Sequence, residues 1–391
     1  MSTRALTVSE EQVRHFRALR THLAGEGAAS ATQAARAMLG AQAQQENPGL
    51  HALSLRTASR PTARTMRELL YGSASRALVR TWGQRDTLHI DAPEDWAEVV
   101  TARAEWAPGR RRGAIPTPAD LEVAREAFRR ANGPLLRADL FEVVPQRFVD
   151  EVADHPGAGT SAVRFAASRL IWSLSHLGEV CLDTRIGSEN QYVARHRAFP
   201  ELDWPEAPDP VASATALASR YLAACGPATA ADIGHFFGAR VVSVKAWLGL
   251  LEADGELAPI TCGSRKGLWA LRADLDALSR PAPEPEAWAP RLLPLWDTLM
   301  MTHKDKSWVI PEAEQPAVWR KAAMVSATVL DRGRIVATWS HRVAAAGVSV
   351  EVSPLSRWHD GLIDGVHAEA AHFAAHIEVP LADVRVVAAS T

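Results

Sequence analysis

Three stretches of the chain repeat one pattern, in which an Ala- and Leu-rich helical segment is followed by a short break and by two apolar segments around a turn. In the second stretch Gly178 precedes Tyr192 by 14 residues, and in the third Gly255 precedes Trp269 by 14. In the first stretch Arg76 precedes Ile90 by the same 14 residues. A helix that runs into a two-stranded hairpin is the ending of a winged-helix unit, so the repeat predicts three such units in tandem.

Helix-start signals upstream of the hairpins support this interpretation. Thr117, followed by Pro118 and Asp120, predicts the N-cap of a helix that runs through Arg130. Thr229 is in the same way a predicted N-cap for a helix ending near Phe237. The three units are assigned to residues 1–113, 114–205 and 206–278.

The last part of the chain has a different pattern, and a proline-rich linker leads into it. The linker contains Pro281, Pro283, Pro285, Pro290 and Pro294. After it, Ala327–Trp339 predicts a β-hairpin, Val348–Val352 another strand, and Ile363–Ile377 a helix. The predicted fold class is therefore α+β, with three winged-helix motifs and a β-rich C-terminal domain over residues 279–391.

Length and composition exclude several classes of protein. A chain of 391 residues has room for two to four domains at about 150 residues each. No apolar run approaches the ~18 residues of a membrane span, and the first residues lack the apolar core of a signal peptide, so we expect a cytoplasmic protein with no membrane contact. Three widely separated cysteines, and no HExxH sequence, suggest neither a disulfide scaffold nor a zinc site.

Charge is distributed unevenly along the chain. Residues 1–137 contain 20 Arg and 14 acidic residues, whereas the remainder contains 23 Lys and Arg and 31 acidic residues. Seven Arg lie between Arg56 and Arg85 with one acid, Glu68, and Arg110, Arg111 and Arg112 follow in a loop. Such clusters suit phosphate binding, although a solvated Arg-rich surface fits them equally. Winged helices themselves serve either DNA binding or protein interaction.

A short polar segment interrupts the apolar pattern of the first unit. The helix predicted over Ala31–Leu39 ends at Gly40, and Pro48 opens the next helix. If the segment between them is extended, Gln42 and Gln44 share one face and the residue between them turns to the core. The glutamines are then either hydrogen-bond caps for the backbone or a functional site.

Four segments together resemble a known family, the AlkZ-type bacterial DNA glycosylases. The Gln42-Ala43-Gln44 segment is similar to its Gln-x-Gln motif, and a related branch, YcaQ, has Gln-x-Asp there. The other three similar segments are Arg80–His89 (RTWGQRDTLH), Arg291–Asp297 (RLLPLWD) and Gly333–Trp339 (GRIVATW). The likeness runs from about residue 7 to residue 378.

The resemblance implies the arrangement and the function. The winged helices would form a C-shaped arrangement around double-stranded DNA that carries alkylated guanine, and the protein would act as a monomer without metal or cofactor. The family unhooks interstrand crosslinks or bulky N7-alkylguanine adducts, often as self-resistance to a genotoxic natural product. This chain departs from the family pattern at Trp296, where Phe is usual, and at His303 and Lys304, where Tyr and Arg are common.

The chemistry of glutamine fits such a reaction. N7-alkylguanine is already cationic, so its departure needs no general acid, and the protein must supply a held water and oriented dipoles near an oxocarbenium-like sugar. We therefore assign Gln42 and Gln44 as catalytic, with Glu46 as a rival base or a helix N-terminal charge. A non-enzymatic winged-helix transcriptional regulator is the alternative function.

The candidate DNA contacts lie outside the glutamine segment. On the first wing they are Trp82, Arg85 and His89, although Trp82 can equally be a core residue and His89 a strand cap. Arg110, Arg111 and Arg112 are candidates in their loop. His303 and Lys304 belong to a basic cluster, His303–Lys306, that we expect to face solvent.

Overall fold

A computed structural model describes residues 5–106, 115–284 and 287–387. Helices and strands are mixed along all three ranges, so the predicted α+β class is confirmed. The strands of these ranges form three sheets of three strands, one of five strands and one of two. None of the helices in the described ranges is long and apolar enough to cross a membrane.

The first predicted unit ends in the expected hairpin. Strand β4 (Leu88–Asp91) pairs antiparallel with β3 (Val79–Trp82) and, on its other edge, with the two-residue strand β2 (Ala41–Gln42). Its elements are β1 (Leu6–Thr7), α1 (Glu10–Arg20), α2 (Ala31–Ala37), β2 (Ala41–Gln42), α3 (Glu46–Arg56), α4 (Ala63–Tyr71), β3 (Val79–Trp82), β4 (Leu88–Asp91) and α5 (Pro93–Trp106).

The second unit has the same ending. Thr117 caps its first helix through a capping box with Asp120, as predicted. Its elements are α6 (Pro118–Arg130), β5 (Leu135–Leu136), α7 (Gln146–Val152), α8 (Ala162–His176), β6 (Val180–Ile186), β7 (Glu189–Ala194) and α9 (Arg195–Ala198). Strand β7 lies between β5 and β6 in a three-stranded sheet.

The third unit consists of three helices, a hairpin and a short final helix. Thr229 is the N-cap of its second helix, as predicted, and forms a capping box with Asp232. Its elements are α10 (Pro210–Cys225), α11 (Ala230–Phe237), α12 (Val241–Ala253), β8 (Leu257–Cys262), β9 (Arg265–Leu271) and α13 (Leu275–Ser279).

The N-terminal strand joins the third unit rather than the first. Leu6 of β1 pairs in parallel with Ile260 of β8. Val13 and Phe16 of α1 belong to a buried cluster that also contains residues of β8 and β9 and of the C-terminal part. The unit boundaries at residues 113, 205 and 278 stay predictions.

The C-terminal part is a five-stranded sheet in the order β10-β13-β14-β15-β16, with α16 packed on one face. Arg291–Leu293 pairs with β13, so the predicted linker ends earlier than its prolines suggested. The elements are β10 (Arg291–Leu293), α14 (Thr298–Met301), α15 (Gln315–Val318), β11 (Trp319–Arg320), β12 (Met324–Val325), β13 (Thr328–Asp331), β14 (Arg334–Ala344), β15 (Gly347–Pro354), α16 (Ile363–His376) and β16 (Leu381–Val386).

A buried ion pair joins the first unit to the C-terminal part. The two Nη atoms of Arg56, at the end of α3, donate to the two carboxylate oxygens of Asp297 at 2.9 and 2.8 Å. The side chains are 1% and 0% exposed. Because α3 begins directly after the glutamine segment, this bidentate pair fixes the helix on which that segment depends.

Candidate active site

The glutamine segment lies between two helices, as predicted, but its extended part is shorter. Helix α2 ends at Ala37, and Leu39 and Gly40 both have positive φ, 55° and 86°. Gly40 is required there, because a Cβ atom would collide with the carboxylate of Asp91. Helix α3 starts at Glu46, two residues before the predicted start, and Pro48 sits in its first turn, where no backbone N–H is needed.

Gln42 is held in place by the turn of the first wing. It lies opposite His89 in the sheet and is 9% exposed. Arg85 Nη2 donates to Gln42 Oε1 at 2.9 Å, and the Arg85 guanidinium also donates to the carbonyl of Phe236 in α11. Burial lowers the pKa of Arg85 to about 10, so the guanidinium remains charged at neutral pH. Arg85 therefore fixes the Gln42 amide with its oxygen toward the wing.

Gln44 is the exposed member of the pair. Its Oε1 accepts a hydrogen bond from the backbone N–H of Leu88 at 3.2 Å, so it does act as a backbone cap. Ala43, between the two glutamines, is fully buried, as predicted. The amide oxygen of Gln44 has a second lone pair that this hydrogen bond leaves available.

The Arg80–His89 segment forms a cradle for the backbone of the glutamine segment. The guanidinium of Arg80 donates to the carbonyl of Ala43 through Nε and Nη2, at 3.2 and 3.0 Å. The amide of Gln84 donates to the carbonyl of Leu39 at 2.6 Å. From the C-terminal part, the hydroxyl of Thr298 donates to the carbonyl of Gly40 at 3.1 Å. These bonds satisfy backbone carbonyls that form no hydrogen bonds within α2 or α3. They also hold the backbone of the glutamine segment in one conformation.

Glu46, the other candidate for the catalytic base, accepts hydrogen bonds on both of its carboxylate oxygens. Arg67 Nε donates to Oε1 at 2.9 Å, and the hydroxyl of Tyr71 donates to Oε2 at 2.7 Å. Arg80 Nη1 lies 3.4 Å from Oε2. Burial and the Glu46 charge both raise the pKa of Tyr71, which keeps its hydroxyl protonated as the donor. The carboxylate is thus a structural anion in the free protein.

A cleft of about 780 Å³ opens beside this cluster, and we call it the glutamine cleft. Gln44, Glu46, Arg67, Tyr71 and Arg80 line one side. The second wing supplies the other side with Thr184, Arg185 and Asn190. The glutamine cleft thus lies between residues of the first and the second unit.

Arg185 is a functional candidate that the sequence analysis missed. Its side chain is exposed, and Nη2 donates to the carbonyl of Ser188 in the turn of the second wing. The signal for it was present, because Arg185 precedes Gly187, the predicted turn of the second hairpin.

Two of the predicted wing contacts are packed against protein in the free chain. The ring of Trp82 stacks on Tyr192 of the second wing, with centroids 6.4 Å apart and planes 8° apart. His89 is 2% exposed, and its Nδ1 lies 3.0 Å from the carbonyl of Thr87. Burial and the nearby Arg85 charge lower the pKa of His89 to about 3, so it is neutral at pH 7. Their roles in DNA contact stay predictions.

The basic cluster near residue 303 is split between core and surface. Lys304 is exposed, but the prediction that His303 faces solvent is wrong, because it is 5% exposed and bridges Thr302 Oγ1 and the carbonyl of Cys225 at 2.8 and 3.0 Å. Burial and the Arg17 charge lower the pKa of His303 well below its usual value. Arg110, Arg111 and Arg112 lie outside the described residues.

Among residues 5–106, 115–284 and 287–387, no group of three or more His, Cys, Asp and Glu side chains is arranged to hold a metal ion. Cys181, Cys225 and Cys262 are buried free thiols.

Asp91, at the end of β4, is a buried acid behind the glutamine segment. It is 3% exposed, and its Oδ2 has no hydrogen-bond partner among the described residues. Burial, together with the Asp95 charge, raises the pKa of Asp91 to about 8. Asp91 is thus neutral at pH 7, but it does not line the glutamine cleft.

This raised pKa predicts a pH-dependent stability. The folded chain keeps the Asp91 proton up to about pH 8, whereas the unfolded chain releases it near the ordinary aspartate pKa of 3.8, so the Asp91 contribution falls as pH rises between them. The slope is at most about 1.4 kcal/mol per pH unit. Asp91→Asn should therefore gain stability relative to wild type from pH 5 to pH 8, as measured by denaturant unfolding. A difference that is constant over that range would contradict the assignment.

Comparison with known proteins assigns the chain to a protein family over most of its length. The profile of the family described as DNA glycosylase AlkZ-like matches residues 35–376. A curated relative from Streptomyces sahachiroi, named interstrand DNA cross-link repair glycosylase, is 25% identical over 398 aligned positions, which cover 98% of this chain and 100% of the relative. The solved structure of Streptomyces sahachiroi DNA glycosylase AlkZ has the same fold, with a TM-score of 0.77 and 24% identity over 98% of this chain and 100% of that one. The chain therefore belongs to the family of AlkZ-like DNA glycosylases.

Proposed function

We propose that this DNA glycosylase hydrolyses the N-glycosidic bond of N7-alkylguanine in double-stranded DNA, including bulky natural-product adducts and interstrand crosslinks. Such an activity serves repair or self-resistance to a genotoxic antibiotic. The name of the Streptomyces relative, which refers to cross-link repair, supports the crosslink part of the proposal. Family membership argues against the alternative of a non-enzymatic regulator.

The observation that carries the proposal is the pair of neutral amides, Gln42 and Gln44, on one segment whose backbone is held in place. The neighbouring acid, Glu46, is at the same time engaged in hydrogen bonds. Arg80 and Gln84 fix the backbone on both sides of Gln42. Glu46 has Arg67 and Tyr71 on its oxygens. A site built in this way can orient a water molecule and place amide dipoles, but among the described residues that line the cleft no acid is free to protonate a leaving base.

The reaction that fits is therefore one whose leaving base is already cationic. As the bond from N7-alkylguanine N9 to C1′ breaks, the electron pair goes to the base and neutralises its charge, and the sugar becomes oxocarbenium-like. We assign the attacking water and the stabilisation of the sugar jointly to Gln42 and Gln44. Gln44 lines the cleft, whereas Gln42 lies behind it and its oxygen accepts from Arg85 in the free protein, which leaves one lone pair for the water. The water adds to C1′ and its proton passes to solvent. Arg185 and the exposed Arg67 are positioned to bind phosphates along the cleft.

Substrate choice tests this proposal. With enzyme in excess, we expect rapid release of 7-methylguanine from a duplex and no detectable release of uracil from a matched duplex, because uracil leaves as an anion that an acid must neutralise. Alkali cleavage of the resulting abasic sites, followed by gel electrophoresis, measures both. Efficient uracil release would mean that an acid acts in the site, and a mechanism built on neutral amides alone would then be wrong.

A further inference from the structure

A second cavity, of about 600 Å³, lies on the other side of the α3 N-terminus. Its walls come from α3, α4, the C-terminal sheet and α16, and we call it the ring cavity because aromatic and imidazole rings line it. The residues Gln45, Asn47, Pro48 and Arg67 line both this cavity and the glutamine cleft. The two spaces are thus separated by the first turn of α3 and one arginine.

The rings of the cavity form one cluster around His51. The His51 centroid lies 4.9 Å from that of Phe373, 5.4 Å from that of His376 and 6.1 Å from that of Trp339. These are distances at which planar rings attract one another by edge and offset contacts. A planar guest of similar character would find the same geometry, and the volume is within the range of small-molecule sites.

His51 also has unused hydrogen-bonding capacity. The residue is 6% exposed, yet no hydrogen bond to either ring nitrogen is found among the described residues, unlike His376, whose Nδ1 lies 2.9 Å from the Pro61 carbonyl. Burial and the neighbouring His376 lower the pKa of His51 well below its usual value. The neutral ring therefore has one donor and one acceptor, and a buried polar ring of this kind requires a partner in the cavity that it lines.

The charge of the walls restricts the guest further. The buried histidines are neutral, and the charged side chains of the lining are Arg67 and Glu378, of opposite sign. Transfer of a net charge from water into this cavity costs free energy, and the walls carry no net opposite charge to compensate for it. An uncharged guest with a polar substituent fits best.

We propose that the ring cavity binds the uncharged aromatic portion of a bulky N7-guanine adduct, with His51 as the hydrogen-bond partner of its polar substituent. This inference rests on the proposed function, because the guest reaches the cavity through its covalent link to a guanine in the glutamine cleft. Gln45, Asn47 and Arg67 border both spaces, so the two positions are adjacent.

The test compares a small and a bulky lesion. Two duplexes carry a single 7-methylguanine or a single N7-guanine adduct of a polycyclic aryl epoxide, and single-turnover release is measured with enzyme in excess. His341 is exposed, lines the cavity and lies against Phe373 with ring centroids 4.8 Å apart, so His341→Trp narrows the mouth from an exposed position. We expect release of the aryl adduct to fall about tenfold, the equivalent of ~1.4 kcal/mol, with 7-methylguanine release changed less than about twofold.

Two further variants make the comparison specific. Val343→Trp places the same ring on the same strand at an exposed position that does not line the cavity, and it should change neither rate. His51→Phe keeps a ring in the cluster but removes its nitrogens, and it should lower release of the aryl adduct selectively.

The outcomes separate this inference from the proposed function. Equal effects of His341→Trp on both lesions would overturn the cavity assignment, as would a wild-type enzyme that releases 7-methylguanine and leaves the aryl adduct in place. A wild-type enzyme that releases neither lesion would instead overturn the proposed function.

Discussion

Replacement of Gln42 or Gln44 by alanine is expected to lower the single-turnover rate of 7-methylguanine excision by roughly 100- to 1000-fold, the range seen when one oriented dipole is removed from an active site. The fold should persist, because Arg80 and Gln84 still hold the backbone of the segment after the bond of Gln42 to Arg85 or of Gln44 to Leu88 is lost. Affinity for undamaged duplex should also stay close to that of wild type. Rates come from excess-enzyme assays, and thermal melting and fluorescence anisotropy report the fold and the affinity.

Gln33→Ala provides a matched control for these variants. Gln33 is exposed, and its Oε1 accepts a backbone N–H from Ala29 at 3.0 Å, the same kind of bond that Gln44 makes to Leu88. The control removes that bond away from the cleft and should leave excision unchanged. Wild-type rates in both Gln42→Ala and Gln44→Ala would exclude the catalytic assignment and would direct attention to Glu46.

Asp297→Ala is expected to destabilise the protein by roughly 3–5 kcal/mol, because it leaves the Arg56 guanidinium buried without its counterion. Arg56 is 1% exposed and has no exit to solvent. Its Nε already lacks a hydrogen-bond partner in the described ranges, so the remaining bond to the Ala52 carbonyl cannot compensate. The free energy of unfolding, measured with urea, tests this.

Glu151→Ala is the surface counterpart. Glu151 and Arg147 form an ion pair at 3.2 Å between side chains that are 46% and 56% exposed. Its loss should cost less than about 1 kcal/mol, as is usual for exposed pairs. A cost for Asp297→Ala as small as that for Glu151→Ala would show that the buried pair is not the link between α3 and the C-terminal part.

Local structure could be predicted from the sequence where a residue type has one common structural role, such as a helix cap or a turn. Thr117 and Thr229 cap helices because a hydroxyl before a helical segment satisfies its first free N–H groups, and both capping boxes are present. The hairpins follow from alternating apolar residues around glycine turns, and β3–β4, β6–β7 and β8–β9 are where the 14-residue spacing indicated. The buried position of Ala43 follows from the same alternation.

Side-chain positions that depend on residues far away in the sequence could not be predicted in this way. The charge of Arg85 suggests phosphate contact, but its guanidinium lies between Gln42 and the Phe236 carbonyl of another unit. The charged neighbours of His303 predict a position in solvent, yet it is buried against Cys225. In both cases the partner is far away in the sequence, and no local pattern encodes it.

The parallel pairing of β1 with β8 has a consequence for synthesis. Leu6 and Thr7 leave the ribosome well before their partners, Ile260 and Thr261, which follow only after all three winged-helix stretches have begun to emerge. Until then the apolar face of α1, with Val13 and Phe16, lacks its partners from β8 and β9. A nascent chain can form the β3–β4 hairpin early, since those contacts are local, but β1 can pair with β8 only after the third unit has emerged.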